Sequence, residues 1–546
     1  MKYSILFIIL FFAFVVPTKA QNYYWIAFTD KNDTEFSLDN PGEYLSERAI
    51  ERREKQNIVI DSLDLPVNSC YIDSVLSLDV EFVHTSKWLN GMTVKTEIDS
   101  LDKMIATWSF VKEVQLTKPA LTSKSASNKF TVEIEFDGGE IDTSLYGESV
   151  HQVSMLEGQF LHQQNFKGQG IHIAVLDGGF FNANTYSAFD SLWANNQILG
   201  TKDIVNPNSD IYTTDYHGMS VLSCMGGNIP GTLIGTAPKA SYWLIRSEDT
   251  SSEYIVEEDH WVVAAEFADS VGADIINSSL GYSEFDDATT NHTYADMDGK
   301  TTRVTKAANI AASKGMLVFS SAGNERDDPW KRIVAPADGE MVVGVGALDK
   351  YLNPAYFTSA GPAFGGAIKP NVSAMGYHTV LQLSNGNIGL SNGTSFSSPV
   401  MAGMAACLWQ RYPEKTAVEI KDVLEKSAHM YLAPDSLVGY GVPNMRTASA
   451  ILDPLTVPVY ENQSKWKVYP NPVRNKIVLE YLGSKGQKEI DIEMYSVAGQ
   501  LIRQWSKPAT SRIVLTPIPN LVNGVFLLQV NDGEHIETFK LTKSNW

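Results

Sequence analysis

Short runs that are apolar on both faces recur through the middle of the chain, separated by longer stretches with apolar residues every three or four positions. Ile171–Leu176 (IHIAVL), Ser241–Ile245 (SYWLI), Ala273–Asn277 (ADIIN), Met316–Ser320 (MLVFS) and Met341–Val345 (MVVGV) are the runs. Strands buried on both faces, as in a parallel sheet covered by helices, have this composition. Between them Val256–Val271 and Thr302–Lys314 carry helical patterns. The alternation predicts an α/β domain over residues 146–455, an open and mainly parallel sheet with helices on both faces. A further apolar run, Val400–Trp409, reads as a buried helix directly after Gly393-Thr394-Ser395-Phe396-Ser397-Ser398-Pro399.

The flanks have other patterns. Lys2 followed by the apolar run Ile5–Val16 and small residues at Thr18 and Ala20 reads as a signal peptide over residues 1–20, cleaved before Gln21. The run is too short for a comfortable membrane span, and no later segment has 18 consecutive apolar residues. Residues 21–120 mix a charged helical run, Ser46–Gln56, with strand-like Val80–Val83 and Met92–Val94, a small α+β domain. Residues 121–145 open with Leu121–Asn128, polar and small, which reads as a linker open to proteolysis. Residues 460–546 hold short spaced runs, Trp466–Pro472, Lys476–Tyr481, Ile490–Tyr495, Arg512–Thr516 and Gly524–Val530, the signature of an all-β sandwich.

Composition narrows the partners. With 43 basic against 63 acidic residues, the formal charge of −20 argues against nucleic acid or an anionic membrane surface. Three cysteines, Cys70, Cys224 and Cys407, cannot all pair and make no disulfide scaffold. Cys224 and Cys407 lie in apolar helical stretches, either as buried small hydrophobes or as one disulfide.

Four residues carry candidate chemistry. Asp177 ends the first strand of the α/β block, where active groups of open sheets gather. His217, in Asp215-Tyr216-His217-Gly218-Met219-Ser220, opens one helix, and Ser395 opens another. An acceptor to orient a histidine, a histidine to take a proton, and a serine to attack a carbonyl make a nucleophilic set. A glycine after the histidine lets substrate backbone pass close by. Asn324, after a strand in Ser320-Ser321-Ala322-Gly323-Asn324, can donate to the oxyanion. Each residue also has an ordinary reading as a cap, turn former or packing residue. A nucleotide site is excluded, because Asp177-Gly178-Gly179-Phe180 lacks the G-x-G-x-x-G turn.

Together these residues resemble the subtilisin-like serine proteases, the subtilase family, in which the triad follows the chain order Asp, His, Ser. GTSFSSP is similar to that family's serine motif and SAGN to its oxyanion segment. Ser279-Leu280-Gly281 is similar to its substrate-pairing S-x-G strand, and Gly235–Ala240, Phe357–Pro362 and Lys369–Val372 to its connecting segments. The resemblance spans Gly168 to Leu452. It implies a serine endopeptidase in which Asp177 orients His217, His217 is general base and then acid, Ser395 forms an acyl-enzyme, and Asn324 with the Ser395 N–H binds the oxyanion. Ser279, Leu280 and Gly281 would bind the substrate backbone.

Two motifs depart from the family pattern: Gly178 stands where a hydroxyl residue usually follows Asp, and Met219-Ser220 where Thr-His usually follows His-Gly. The chemistry needs no cofactor. Calcium often stabilises the family, and Asp286-Asp287 and Asp327-Asp328 are candidates better read as solvated turns. Residues 21–120 look like a subtilase propeptide of ferredoxin-like fold that blocks the cleft until it is cut. Val468–Pro472, Met494–Gln500, Gly524–Phe526 and Lys540–Lys543 resemble the C-terminal sorting domain of the type IX secretion system of Bacteroidota. The resemblances imply a secreted or outer-surface protein whose partners are polypeptide substrates, its own propeptide and the secretion machinery. The competing reading is a catalytically inactive subtilase-fold surface protein that only binds.

Overall fold

The computed structural model describes residues 21–120, 145–453, 465–482, 489–496, 501–508, 510–516, 524–532 and 536–543. The expected leader 1–20, the linker as far as residue 144, and residues 497–500 of the Met494–Gln500 motif lie outside the described residues. The chain divides into two compact units, Met1–Asp453 and Pro454–Trp546.

In the first unit, four antiparallel strands come early: β1 (Asn22–Phe28), β2 (Glu81–Ser86), β3 (Gly91–Thr96) and β4 (Val111–Lys118), in the order β2-β3-β1-β4. Helices α1 (Glu47–Lys55) and α2 (Ser69–Leu76) lie between β1 and β2. This is the order of a ferredoxin-like domain, as expected. Its core is separate from the rest: Tyr24, Ile26, Phe28, Val75, Met92 and Val94.

The larger part holds seven parallel strands: β5 (His172–Asp177), β6 (Ile198–Asp203), β7 (Ser241–Arg246), β8 (Ile275–Ser278), β9 (Leu317–Ser321), β10 (Val343–Leu348) and β11 (Val372–Met375). Their order is β11-β10-β9-β8-β5-β7-β6, and every pairing is parallel. Alternation on β5 sends Ile173 and Val175 into one core and Ala174 and Leu176 into the other. The first core takes α3 (His217–Gly226) and α6 (Thr394–Arg411); the second takes α4 (Val256–Ser270) and α5 (Arg303–Ser313). Hence the strand pattern apolar on both sides.

Five of the seven strands were predicted to within a few residues. The other two lack the signal. β6 is an edge strand whose residues are mostly half-exposed or exposed, and β11 is four residues long and directly follows Pro370-Asn371. Helix α6 begins at Thr394, one residue before the Ser395 expected to open it, and it contains Pro399. Cys224 and Cys407 are buried, Cys70 is exposed, and all three are free thiols.

The early domain docks on α4 and α5 through buried charge. Asp269 on α4 accepts from Arg52, from Arg53 at 2.9 Å and from Lys87 at 3.3 Å. Glu266 accepts from the Lys87 and Trp88 N–H groups at 2.9 and 3.0 Å and so caps the β2–β3 hairpin. Trp88 at that hairpin joins the second core. Lys118, the last residue of β4, reaches Ser252 at 2.9 Å and Asp249 at 3.5 Å, on the loop after β7.

The second unit contains β12 (Trp466–Tyr469), β13 (Ile477–Tyr481), β14 (Ile490–Ser496), β15 (Leu501–Lys507), β16 (Arg512–Leu515), β17 (Gly524–Asn531) and β18 (Ile536–Lys543). They form antiparallel sheets ordered β12-β13-β16 and β15-β14-β17-β18. Trp466, Ile477, Leu479, Ile492, Leu528 and Val530 fill one core between the two sheets, the sandwich expected. Strands β15 and β18 were not anticipated; β15 has exposed residues at nearly every position, so no alternation marks it.

Candidate active site

Asp177 is the last residue of β5, and Ser278, Ser321 and Arg246 end the strands around it. All lie at the carboxyl edge of the sheet, where β5 meets neighbours reached by crossovers in opposite directions. Helix α3 starts there with His217. Its Nδ1 lies 2.8 Å from Asp177 Oδ1, and both residues are buried, 2% and 0% exposed.

The glycines explain that approach. A Cβ at Gly218 would stand 2.4 Å from the Gly179 carbonyl and 2.7 Å from the Asp177 Cβ. At Gly179 it would strike Thr214 Oγ1 at 2.2 Å. Gly218 therefore serves to seat α3 against the end of β5, not to admit substrate backbone as its position suggested.

Burial raises the Asp177 carboxyl above its ordinary range, and the adjacent His217 opposes the rise. Oδ1 also accepts from the Gly178 N–H at 2.8 Å. Oδ2 is buried with no hydrogen-bond partner among the described residues. Gly178 supplies no hydroxyl there, which is where the sequence departs from the family pattern.

Ser395 is the second residue of α6. Gly393 before the helix has φ +154 and ψ 147, a conformation almost confined to glycine. It turns the chain so that the helix N-terminus, with its free N–H groups, opens at the site. The Phe396 ring lies 5.7 Å from the His217 ring, which brings the first turn of α6 beside the histidine. The Ser395 hydroxyl donates to the Ser279 carbonyl at 3.2 Å.

Pro399 accounts for a contact not legible in the sequence. It has no N–H to give to the carbonyl four residues earlier, that of Ser395. The Ser279 hydroxyl takes that place and donates to the Ser395 carbonyl at 2.7 Å. Ser279 Oγ in turn accepts from Asn277 Nδ2 at 3.1 Å, and Asn277 Oδ1 accepts from Ser398 Oγ at 2.8 Å. Thus β8 and α6 are tied together at the serine, and Asn277 and Ser398 belong to the site.

Asn324 is fixed by Thr394. Its Oδ1 accepts the Thr394 N–H at 2.9 Å and the Thr394 hydroxyl at 3.0 Å. A backbone N–H can only donate, so this bond settles which end of the amide is oxygen. Nδ2, the donor, is the atom left to serve the cleft. A cavity of about 260 Å³ opens here, lined by Ser395, Asn324, Thr394 and the Ser279-Leu280-Gly281 segment.

Asp286 accepts from the Glu253 N–H at 3.0 Å, Asp287 from Thr289 at 3.0 Å, and Asp328 lines the cleft. Among the described residues no three His, Cys, Asp or Glu side chains converge to hold a metal, and no helix is long and apolar enough to cross a membrane.

Residues 168–441 match the subtilase family, Peptidase S8. Residues 23–131 match the Peptidase S8 propeptide domain of Bacteroidota, and 467–544 a secretion system C-terminal sorting domain. Subtilisin E of Bacillus subtilis is 28% identical over 315 residues, 56% of this chain and 72% of its own length. The subtilisin of Bacillus pumilus is 27% identical over 307 residues, 54% of this chain and 97% of its own. Among solved structures, MycP1 from Mycobacterium smegmatis aligns with a TM-score of 0.44 at 20% identity, covering 59% of this chain and 89% of that one. The chain belongs to the subtilase family: it is a serine-type endopeptidase that carries its own propeptide and a secretion sorting domain.

Proposed function

We propose that this secreted peptidase hydrolyses peptide bonds through an Asp177–His217–Ser395 triad. The 2.8 Å contact between His217 Nδ1 and Asp177 Oδ1, at the helix start that faces Phe396 and hence Ser395, carries this reading. Asp177 holds the Nδ1 proton, so Nε2 is the basic nitrogen. Nε2 takes the Ser395 proton as Oγ attacks the scissile carbonyl, and then protonates the leaving amine. Water deacylates the enzyme by the same steps reversed. The oxyanion meets Asn324 Nδ2 and the Ser395 N–H at the positive end of α6.

Ser279, Leu280 and Gly281 supply main chain for the substrate to pair with. No cofactor enters these steps. Export begins with cleavage of the leader before Gln21 and is completed by the type IX machinery acting on the C-terminal sandwich.

A fluorophosphonate probe should label the mature enzyme and leave Ser395→Ala unlabelled. Asn324→Leu should still be labelled but lose about 10²–10³ in kcat. A mature wild-type enzyme that takes no label would return the chain to the reading of an inactive binding protein.

A further inference from the structure

The cleft beside Ser395 is acidic. Glu325, Glu248, Glu253, Glu284 and Asp328 line it, and among the described residues no Lys, Arg or His does. Glu325 follows Asn324 directly, so its carboxyl stands next to the oxyanion donor. Its Oε2 accepts from the Ser359 hydroxyl at 2.6 Å, a neutral partner. Glu325, Glu284 and Asp328 form no ion pair among the described residues. Glu248, deeper in the wall, accepts from Tyr282 Oη at 2.9 Å.

A partly desolvated carboxylate held by neutral donors alone, the Ser359 hydroxyl and the main chain of Asn324 and Glu325, is uncomfortable as an anion. Burial lifts the Glu325 carboxyl to about 7, and Asp328 adds to the rise. Such a group gains more than an exposed one when a cation arrives.

Two further observations favour a peptide cation over a metal ion. The carboxylates are spread around the walls and do not converge, since no metal-holding group of three exists among the described residues. The propeptide already lays a lysine on the loop that carries two wall residues: Lys118 Nζ reaches Ser252 and Asp249, which lie in sequence between Glu248 and Glu253.

We propose that this cleft is a subsite for a lysine or arginine side chain of the substrate, on the acyl side of the scissile bond, with Glu325 as its charge partner and Asp328 at the rim. The inference rests on Ser395 being the nucleophile. It names the substrate class of that site: polypeptides cut after a basic residue.

The test is kcat/KM of the mature enzyme, matured from the full chain, on fluorogenic peptides that differ only in the residue before the cleaved bond: Lys, Arg, Leu, Phe or Glu. Lys and Arg peptides should exceed Leu and Phe peptides by about tenfold or more, with the Glu peptide poorest. Glu325→Gln should lower the Lys-to-Leu ratio by about 30-fold, the lower bound for removing one member of a buried charge pair. Asp328→Asn, exposed and in a turn, should lower it by about threefold. A wild-type enzyme that cuts Leu or Phe peptides as well as Lys peptides overturns the subsite while leaving the protease reading intact. An unchanged ratio in Glu325→Gln removes that residue as the partner. Absence of both cleavage and fluorophosphonate labelling overturns the nucleophile, and the subsite with it.

Discussion

Asp177 presents two carboxylate oxygens in unlike surroundings. Oδ1 holds His217 and the Gly178 N–H, whereas Oδ2 is buried without a partner among the described residues. An unsatisfied buried acceptor costs about 1–3 kcal/mol, here borne by the residue that must stay ionised when His217 takes a proton. Gly178→Ser offers the missing donor. We expect kcat/KM to rise by about threefold to tenfold near neutral pH, as one added hydrogen bond of about 0.5–1.5 kcal/mol implies. A pH–rate profile should show the gain, and a variant no faster than wild type would mean that Oδ2 is satisfied by other means. Asp177, His217, Asn324 and Ser395 were legible before the structure, because each sits where a strand ends or a helix starts and the chemistry has few ways to be arranged. Glu325 was not. Its neighbour Asn324 was assigned, but nothing in the sequence told which way the next carboxyl faced or that no cation among the described residues met it.

At the scale of the element, α6 is the part that places the nucleophile. Gly393 sets its direction, Thr394 fixes Asn324, and Pro399 frees the Ser395 carbonyl for Ser279. Gly393→Ala should be tolerated poorly, since a Cβ at φ +154 strains the backbone by about 1–3 kcal/mol. Its space is open, the nearest atom being 3.6 Å from the new Cβ, so the penalty is conformational and not a clash. We expect a fall in Tm of a few degrees and a larger proportional loss of kcat than of substrate affinity. Equal kcat in the variant and wild type would show that the turn does not position the serine. The sequence marked this helix by its apolar run Val400–Trp409 and by Ser395 at its start. Its first turn is polar yet buried, with Thr394 bonded to Asn324, Ser398 to Asn277 on β8 and Ser397 back to the Thr394 carbonyl, a feature no periodicity registers.

For the first unit as a whole, the propeptide is held by charge as well as by shape. Burial alone would raise the Asp269 carboxyl, but Arg52, Lys87 and Arg53 outweigh it and hold the group at about 2, against an ordinary 3.8. A carboxyl lowered by docking strengthens docking above pH 3.8, and the contribution is lost as pH falls through about 2. The cleaved propeptide should therefore co-elute with the enzyme in gel filtration at pH 7 and separate in that acid window. Asp269→Asn leaves Arg52 buried without its charge partner, although Arg53 keeps Asp64 at 2.7 Å, at a cost of about 3–5 kcal/mol. It should release the propeptide at pH 7 and hasten the appearance of labelled Ser395. Retention of the propeptide by the variant would show that the hairpin cap at Glu266 and the insertion of Trp88 suffice.

The sequence by itself determined the order of parts and the identity of the chemistry. A leader pattern, a small α+β domain, an α/β block and a β-sandwich each have a periodicity that neighbouring residues carry. The Asp, His, Asn and Ser segments are likewise local. Only the tertiary structure decided what depends on residues far apart in the chain: that Ser279 takes the bond Pro399 cannot make, that Thr394 settles the orientation of Asn324, that Gly218 clears Asp177, and that Glu325 faces an acidic cleft. These contacts depend on how strand ends and helix starts are aimed at the sheet edge. Local pattern records which face of an element is buried, and it is silent on which distant atom that face will meet.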